Sequence, residues 1–129
     1  GYTTIIVGAG CLGHALANYK GFEKRGFHLK GIFDCAPEKI GRSVGGVTVS
    51  DIADMEDFVR ANNIDIAILT VPRSEVKSTA DRLAECGIKG LWNYSFVELK
   101  TKNDVAVENV HLSDSLMTLS YKIKQRNDE

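Results

Sequence analysis

The sequence has 129 residues, of which 16 are basic and 17 acidic, and its formal net charge is −1. With this balance of charges the sequence does not predict the basic surface that binds nucleic acid. No apolar run approaches the ~20 residues of a membrane-spanning helix. The 43% hydrophobic content predicts one globular domain, and three cysteines without metal-ligand spacing predict a reducing compartment, so we expect a cytoplasmic protein with no membrane partner.

The first predicted element is a strand that runs directly into a glycine-rich turn. Ile5-Ile6-Val7 is a β-branched apolar run, and Gly8-Ala9-Gly10-Cys11-Leu12-Gly13 follows with GxGxxG spacing. In a dinucleotide-binding turn the first glycine permits the sharp turn, the second lets the backbone approach a pyrophosphate, and the third lets helix and strand pack closely. A helix is expected next, interrupted at Gly21, with an apolar face of Leu12, Ala15, Leu16 and Tyr19.

A second apolar run supplies the acidic residue that such a fold uses. Leu29 to Phe33 predicts a strand that ends in Asp34, roughly 20 residues after Gly13. A carboxylate there hydrogen-bonds the hydroxyls of an adenosine ribose and repels a 2′-phosphate, so NAD(H) is favoured over NADP(H). Lys39 and Arg42 lie nearby in sequence and could soften that preference.

The remaining elements alternate between strands and helices, which predicts an α/β fold with a doubly wound, mostly parallel, Rossmann-like sheet. Asp51 and Ser74 are the expected N-caps of two helices, and Gly87 is the expected end of the second. The other expected elements are strands at Val47–Val49, Ile64–Val71, Ile88–Trp92 and Val105–Leu112, and a last helix at Ser113–Gln125.

The last helix carries two apolar faces and is the predicted dimerisation helix. Leu112, Leu116, Leu119 and Ile123 form one stripe, while Met117 and Tyr121 lie on another face. A helix that covers only its own sheet needs a single apolar face, so a partner subunit is expected to cover the second. A broad core stripe is the alternative. We therefore divide the chain into a nucleotide-binding domain, residues 1–112, and a C-terminal helix, residues 113–129.

Ligands of such sheets bind at the carboxyl ends of the strands. Thr70 and Asn93 could hydrogen-bond a ribose or a carboxamide, and Pro72 and Tyr94 could form walls, although each alone could equally serve packing. The predicted cofactor-binding residues are Gly8, Ala9, Gly10, Cys11, Leu12, Gly13, Asp34, Cys35, Thr70, Val71, Pro72, Asn93 and Tyr94.

The sequence predicts a nucleotide-binding site but contains no evident catalytic group. It has no Ser-His-Asp, Cys-His or metal-ligand constellation, and its whole length is used by the nucleotide fold. We interpret Cys11 as a small side chain that fills the glycine loop, with a redox-active thiol as the alternative. His111, at the end of the last strand, lacks the partner that a general acid or base needs.

Five stretches resemble the C-terminal domain of the Rex family, redox-sensing transcriptional repressors that read the NADH/NAD balance. The resemblance covers essentially the whole chain, and its FD-x-x-PEKIG segment is more specific than a glycine fingerprint. The stretches are IIVGAGCLGHALANY (5–19), GIFDCAPEKIGRSVGGVTV (31–49), IDIAILTVP (64–72), ADRLAECGIKGLWNYSFVEL (80–99) and VENVHLSDSLMTLSYKI (107–123).

The resemblance implies a homodimer that exchanges its C-terminal helix, and an N-terminal winged-helix domain, outside this sequence, that contacts operator DNA. It also implies that NADH and NAD compete for one pocket and that NADH releases the dimer from DNA. Tyr19 matches a family tyrosine near the cofactor, whereas His111 replaces the usual Asp of the NADH-linked switch. With the helix residues, the implied switch and dimer positions are Tyr19, His111, Leu116, Leu119 and Tyr121.

The sequence thus predicts the NAD(H)-sensing domain of a redox-sensing repressor, not an enzyme. Because it lacks an initiator Met and its first strand starts at once, we expect a piece of a longer protein. Three alternatives stay open: a CoA-binding domain, the coenzyme domain of an NAD-dependent dehydrogenase, and a free-standing module without a DNA-binding domain. Asp34 disfavours the first, because it would repel the 3′-phosphate of CoA.

Overall fold

The computed structural model describes residues 1–94, 98–100, 105–110 and 112–127, and for residues 112–117 it describes only the helical backbone. Within these residues the strands are β1 (Tyr2–Val7), β2 (Phe27–Asp34), β3 (Ser43–Val44), β4 (Val47–Asp51), β5 (Ile66–Leu69), β6 (Gly90–Asn93) and β7 (Ala106–Asn109). The α-helices are α1 (Cys11–Ala17), α2 (Gly21–Lys24), α3 (Met55–Asn62), α4 (Val76–Glu85) and α5 (Leu112–Asn127).

The strands form one sheet in the order β3-β4-β2-β1-β5-β6-β7. Every neighbouring pair is parallel except β3 with β4, which is antiparallel. The chain starts in the middle at β1, builds outward through β2 and β4, and then crosses to β5 on the other side. The predicted doubly wound α/β fold is confirmed, and the topological switch point lies between β1 and β5.

The first helix is shorter than the sequence predicts. Helix α1 ends at Ala17, where the Asn18 Nδ2 donates to the carbonyl of His14 at 3.1 Å and so satisfies one of the terminal acceptors. Tyr19 therefore lies beyond the helix, with its ring 4.8 Å from that of Phe22. Gly21 begins the separate helix α2 and does not interrupt α1.

One of the two predicted N-caps is confirmed and the other is wrong. The Asp51 carboxylate accepts from the Ala53 N–H at 3.0 Å and begins a 3-10 turn, Ile52–Asp54, that leads into α3. Ser74 lies inside a second 3-10 turn, because the chain already turns at Arg73 directly after Pro72, and no side chain caps α4. Gly87 ends the segment as predicted, its N–H bonded to the carbonyl of Ala84.

The two faces of the sheet are covered unequally. Helices α3 and α4 pack on one face, over a large cluster that includes Ile5, Val7, Phe33, Leu69 and Leu91. On the opposite face α1 lies over a smaller cluster that includes Ile6, Ile32 and Ile68.

This second face carries an open groove of about 720 Å³. Its floor is formed by side chains of β1, β5 and β6, and its rim by the segment that joins α1 to α2. The residues that matter below are Ile6, Leu16, Tyr19, Phe22, Ile68 and Trp92. We call this surface the apolar groove.

The described side chains of helix α5, residues 118–127, do not line the groove. All the side chains from Thr118 to Asn127 are exposed, including Leu119 at 53%, Tyr121 at 68% and Ile123 at 53% of their maximal area. Within the described residues, no helix is long and apolar enough to cross a membrane.

An ion pair joins the two helices of the covered face. The guanidinium of Arg82 on α4 donates from Nε at 2.9 Å and from Nη2 at 2.6 Å to the two oxygens of Glu56 on α3, and it also bonds the carbonyl of Ile52 at 3.0 Å. These charged hydrogen bonds hold the pKa of the Glu56 carboxyl below its ordinary value of 4.5. The pair is therefore formed throughout the neutral range.

We expect Glu56→Gln to destabilise the domain by on the order of 1 kcal/mol at pH 7 and by less in acid. Because the folded-state pKa is lowered, the contribution is complete above the unfolded value and is lost as the pH falls through the folded value. Urea unfolding at a series of pH values from 7 down to about 3, below the unfolded-state pKa, measures this difference. Asp57→Asn, on the same helix but 94% exposed, is the control and should change stability little at any pH. If the loss of stability in Glu56→Gln is as large in acid as at pH 7, the expected pH dependence is wrong.

Candidate functional site

The carboxyl ends of β1 and β5 open a crevice in which the glycine loop, residues 8–13, lies beside Thr70. Gly8 has a φ of +108°, and a Cβ at that position would come within 2.7 Å of the Thr70 hydroxyl. The Gly8 N–H bonds the carbonyl of Phe33 on β2 at 2.7 Å. Only glycine satisfies both the backbone angle and the close approach, so the sharp turn off β1 is fixed by the sequence.

The other two glycines of the loop face different surroundings. At Gly13 a side chain would collide with the carbonyl oxygen of Gly8, so this glycine allows α1 to pack directly on the turn. At Gly10, the one non-neighbouring atom of the described residues within 4 Å of an added Cβ is Nζ of Lys39, at 3.8 Å. The backbone of Gly10 therefore borders open space, in which a ligand could approach it closely.

Asp34 links the end of β2 to the glycine loop. Its Oδ2 accepts from the Ala9 N–H at 2.6 Å, and its Oδ1 accepts from the Ala36 N–H at 2.8 Å. A carboxylate has about four lone-pair sites, so both oxygens keep acceptor capacity for the hydroxyls of a ribose. The same contacts preorganise the loop, since they hold it against β2 before any ligand binds.

Thr70 supports the loop from the other side of the crevice. Its Oγ1 lies 2.8 Å from the carbonyl oxygen of Gly8 and 3.2 Å from that of Val7, so its hydroxyl proton is directed into the protein. Towards a ligand Thr70 therefore offers an acceptor. The next two residues complete this edge, with Val71 buried and Pro72 exposed.

Asn93 and Tyr94 end strand β6. Asn93 is fully buried, and its Nδ2 donates to Oδ1 of Asn109, its register partner on β7, at 2.8 Å. The Asn109 side chain also bonds both backbone polar groups of Leu99. Asn109 was not among the predicted site residues, although an asparagine at the end of β7 is the signal that could have identified it. In this arrangement the Asn93 amide braces the strand ends, and Tyr94 is half-buried beside them.

The cysteines and acids of the described residues form no metal site or disulfide. Cys11 and Cys35 are exposed at the crevice, so Cys11 does not fill the loop as interpreted from the sequence. Leu12 is half-buried and Ala9 buried. Cys86 is remote from the crevice, and burial raises the pKa of its thiol.

The structure describes three of the five predicted switch and dimer side chains. Tyr19 lines the apolar groove, and Leu119 and Tyr121 are exposed on α5. His111 and the side chain of Leu116 lie outside the described residues. The structure thus brings together the glycine loop, Asp34 and Thr70, and it places Tyr19 on a separate surface.

The chain is similar to known proteins over nearly all its length. A family model described as CoA binding domain matches residues 2–97. The redox-sensing transcriptional repressor Rex of Thermoanaerobacter sp. (strain X514) is 54% identical over 124 residues, which are 96% of this chain and 55% of that protein. The chain therefore spans little more than half the length of the curated relatives it matches.

Solved structures give the same result. The crystal structure of RSP in complex with β-NADH has a TM-score of 0.92 and 52% identity, and covers 98% of this chain and 61% of RSP. RSP, a Rex-family repressor, has also been solved with β-NAD+ and operator DNA, with a TM-score of 0.91, 52% identity, and coverage of 98% of this chain and 58% of RSP. The chain belongs to the CoA binding domain family, and the resemblance to Rex-family repressors that its sequence predicts is confirmed.

Proposed function

We propose that the chain is the NAD(H)-sensing and dimerisation domain of a redox-sensing transcriptional repressor. The observation that carries the proposal is the contact between Asp34 and the Ala9 N–H at the switch point of the sheet. It supports the proposal because a carboxylate at the end of β2, beside an open glycine loop, is the arrangement that a dinucleotide requires. Solved relatives in complex with β-NADH, and with β-NAD+ and operator DNA, support the same assignment.

In this proposal the dinucleotide lies across the crevice. The backbone of residues 8–13 holds the pyrophosphate, Asp34 with Cys35 borders the adenosine ribose, and Thr70 to Pro72 with Asn93 and Tyr94 form the far wall. Tyr19 and His111 would couple the pocket to the dimer. The domain would be a regulator and not an enzyme, since a dehydrogenase needs a second region that binds substrate and excludes water.

We propose that two copies assemble by exchange of the C-terminal segment, residues 113–129, which contains most of α5 and follows a nucleotide-binding unit of residues 1–112. Among the described side chains, none of α5 lines the apolar groove, and α5 exposes Leu119, Tyr121 and Ile123. A second copy would satisfy both surfaces at once, because each chain would supply one helix and one groove.

Operator DNA would be contacted through an N-terminal winged-helix domain outside this sequence, in the cytoplasm. The net charge of −1 supports that division, because this chain cannot supply the phosphate contacts itself. NADH would favour one arrangement of the dimer more strongly than NAD does, since a ligand with equal affinity for both arrangements shifts neither.

The test is a titration of the chain with NADH, followed by nicotinamide fluorescence and calorimetry, with NAD, NADPH and CoA as competitors. We expect NADH to bind tightly, NAD to compete less well, and NADPH and CoA to compete little. Equal affinities for NADH and NAD would contradict the sensing role. CoA binding without NADH binding would favour the CoA-binding alternative that the family description suggests.

Replacing Asp34 should alter the choice of dinucleotide more than it alters the fold. We expect Asp34→Asn to weaken NADH binding about tenfold and NADPH binding less, because the repulsion of the 2′-phosphate is removed together with a charged hydrogen bond. The ratio of the two dissociation constants is the readout, since it cancels general damage to the loop. Asp51→Asn, at the register-paired position on β4, is the control and should leave the ratio unchanged. An unchanged ratio in Asp34→Asn would remove Asp34 from the ribose site.

A further inference from the structure

We propose that Lys39 is the cation that binds the pyrophosphate of the dinucleotide, an inference that rests on the proposed function. Its Nζ lies 3.8 Å from the position that a Cβ of Gly10 would occupy, and no other non-neighbouring heavy atom of the described residues lies within 4 Å of that position. Gly10 is the loop residue whose backbone borders open space. The ammonium therefore stands at the point where a phosphate oxygen would approach the loop.

The backbone holds Lys39 at this point. Its N–H bonds the carbonyl of Ala36 at 3.0 Å, and its carbonyl accepts from the Arg42 N–H at 3.1 Å, so it sits inside a tight turn after β2. The Ala36 N–H in turn bonds Oδ1 of Asp34. One carboxylate thus anchors both the glycine loop and the turn that carries the lysine, and the two sides of the site are positioned together.

The charge of Lys39 has no partner in the part of the chain that the structure describes. It is half-buried, yet none of the ion pairs formed there includes it. The oxygens of Asp34, the nearest acid in sequence, accept from the backbone N–H groups of Ala9 and Ala36. An ammonium without a counter-charge among the described residues is available to bind an anion, and a dianionic pyrophosphate over Gly10 would supply that counter-charge.

Lys39 and Asp34 would then have separate tasks. Asp34 would select the dinucleotide through the adenosine ribose, whereas Lys39 would bind the pyrophosphate, a group that NAD, NADH and ADP-ribose share. Its contribution should therefore be uniform among these ligands and should not distinguish the oxidised from the reduced cofactor. This position over the loop, and not beside the ribose, explains why the lysine need not weaken the preference for NAD(H).

The experiment measures the affinities of the full chain for ADP-ribose, NADH and NAD by calorimetry at low and high salt. We expect Lys39→Met to weaken all three about tenfold, with unchanged ratios among them and a shallower salt dependence. Lys39→Arg should restore most of the affinity because it keeps the charge. Lys30→Met, which removes an exposed charge from the middle of β2, is the matched control and should leave the affinities unchanged. Thermal unfolding checks that each variant is folded.

The outcomes separate this inference from the proposed function. If ADP-ribose binding depends on Lys39 while NADH and NAD bind equally, the lysine assignment stands and the sensing proposal fails. If NADH binds more tightly than NAD but Lys39→Met and the parent chain have equal affinities, the sensing proposal stands and the lysine assignment is overturned. Equal losses of affinity in Lys39→Met and Lys30→Met would also overturn the lysine assignment, since the change in net charge alone would then explain the weaker binding. A chain that binds neither ADP-ribose nor NADH would overturn both.

Discussion

Gly10→Ala should weaken dinucleotide binding about a hundredfold while leaving the domain as stable as the parent chain. Gly10 has a φ of −73°, which alanine adopts without strain, and among the described residues the added methyl group would meet the flexible end of Lys39, 3.8 Å away, and no other non-neighbouring atom within 4 Å. The methyl group would instead occupy the space through which a pyrophosphate reaches the loop backbone. We expect the affinity for NADH to fall about a hundredfold, in line with the ~3 kcal/mol that overpacking of a close contact costs.

Gly13→Ala is the informative counterpart, because it changes the same motif by the same methyl group. Its Cβ would collide with the carbonyl oxygen of Gly8 and lie 3.0 Å from the Thr70 hydroxyl. Neither group is free to move, since β1 and β5 hold them. We expect a loss of about 1 to 3 kcal/mol in the free energy of unfolding, and weaker binding as a consequence.

Calorimetric NADH titration and urea unfolding of both variants check this pair. The expected pattern is a loss of binding without a loss of stability for Gly10→Ala, and both losses for Gly13→Ala. If Gly10→Ala binds NADH like the parent chain, the ligand does not approach the loop at Gly10, and the placement of the pyrophosphate is wrong.

The sequence predicts the architecture well where the turn residues and the apolar periodicity indicate the same element. Ile5 to Val7 and the glycine loop locate β1 and its turn, and Asp34 ends β2 as expected. The observed strands β1, β2 and β4 extend beyond their predicted ranges, whereas the run predicted over Ile64–Val71 is longer than β5, because Ile64 and Val71 are buried in the core just outside that strand. The two-residue strand β3 was not predicted, since its pairing with β4 depends on a turn at two glycines and not on periodicity.

The site was predicted less completely than the fold. The glycines and Asp34 could be identified because each has a backbone or charge requirement that few other residues meet. The roles of Thr70 and Asn93 could not, because their hydrogen-bond partners, the Gly8 carbonyl and Asn109, are distant in sequence. Trp92 lies on the apolar groove, and the sequence leaves this undetermined, since alternation along β6 decides which face of the sheet carries the ring.

The position of Trp92 makes the exchange of α5 directly measurable. It is the single tryptophan of the chain, and it lies on the groove with its ring 5.8 Å from that of Phe22. If α5 of a second copy covers the groove, the emission of Trp92 reports on dimer formation. Dilution below the dimer dissociation constant should then shift this emission to the red, because water would reach the ring.

The decisive variant replaces Leu119 and Ile123 of α5 with glutamate. Both side chains are about half exposed within one chain, so their loss should not unfold the monomer. In the exchanged dimer they would be buried in the apolar groove, where two carboxylates would lack partners. We expect this variant to sediment as a monomer at concentrations at which the parent chain is a dimer, with red-shifted Trp92 emission.

The matched control replaces Lys122 and Lys124, exposed on the same helix, with glutamate. This control alters the charge of α5 more than the test variant does, yet it removes no apolar surface. It should remain dimeric with unshifted emission if apolar burial drives the exchange. If both variants dissociate, the charges of α5 and not its apolar side chains would hold the dimer together. If the variant with glutamate at Leu119 and Ile123 stays dimeric, α5 lies outside the interface. Because NADH acts on operator binding only through the dimer in this proposal, a monomeric variant that still binds NADH would also separate sensing from response.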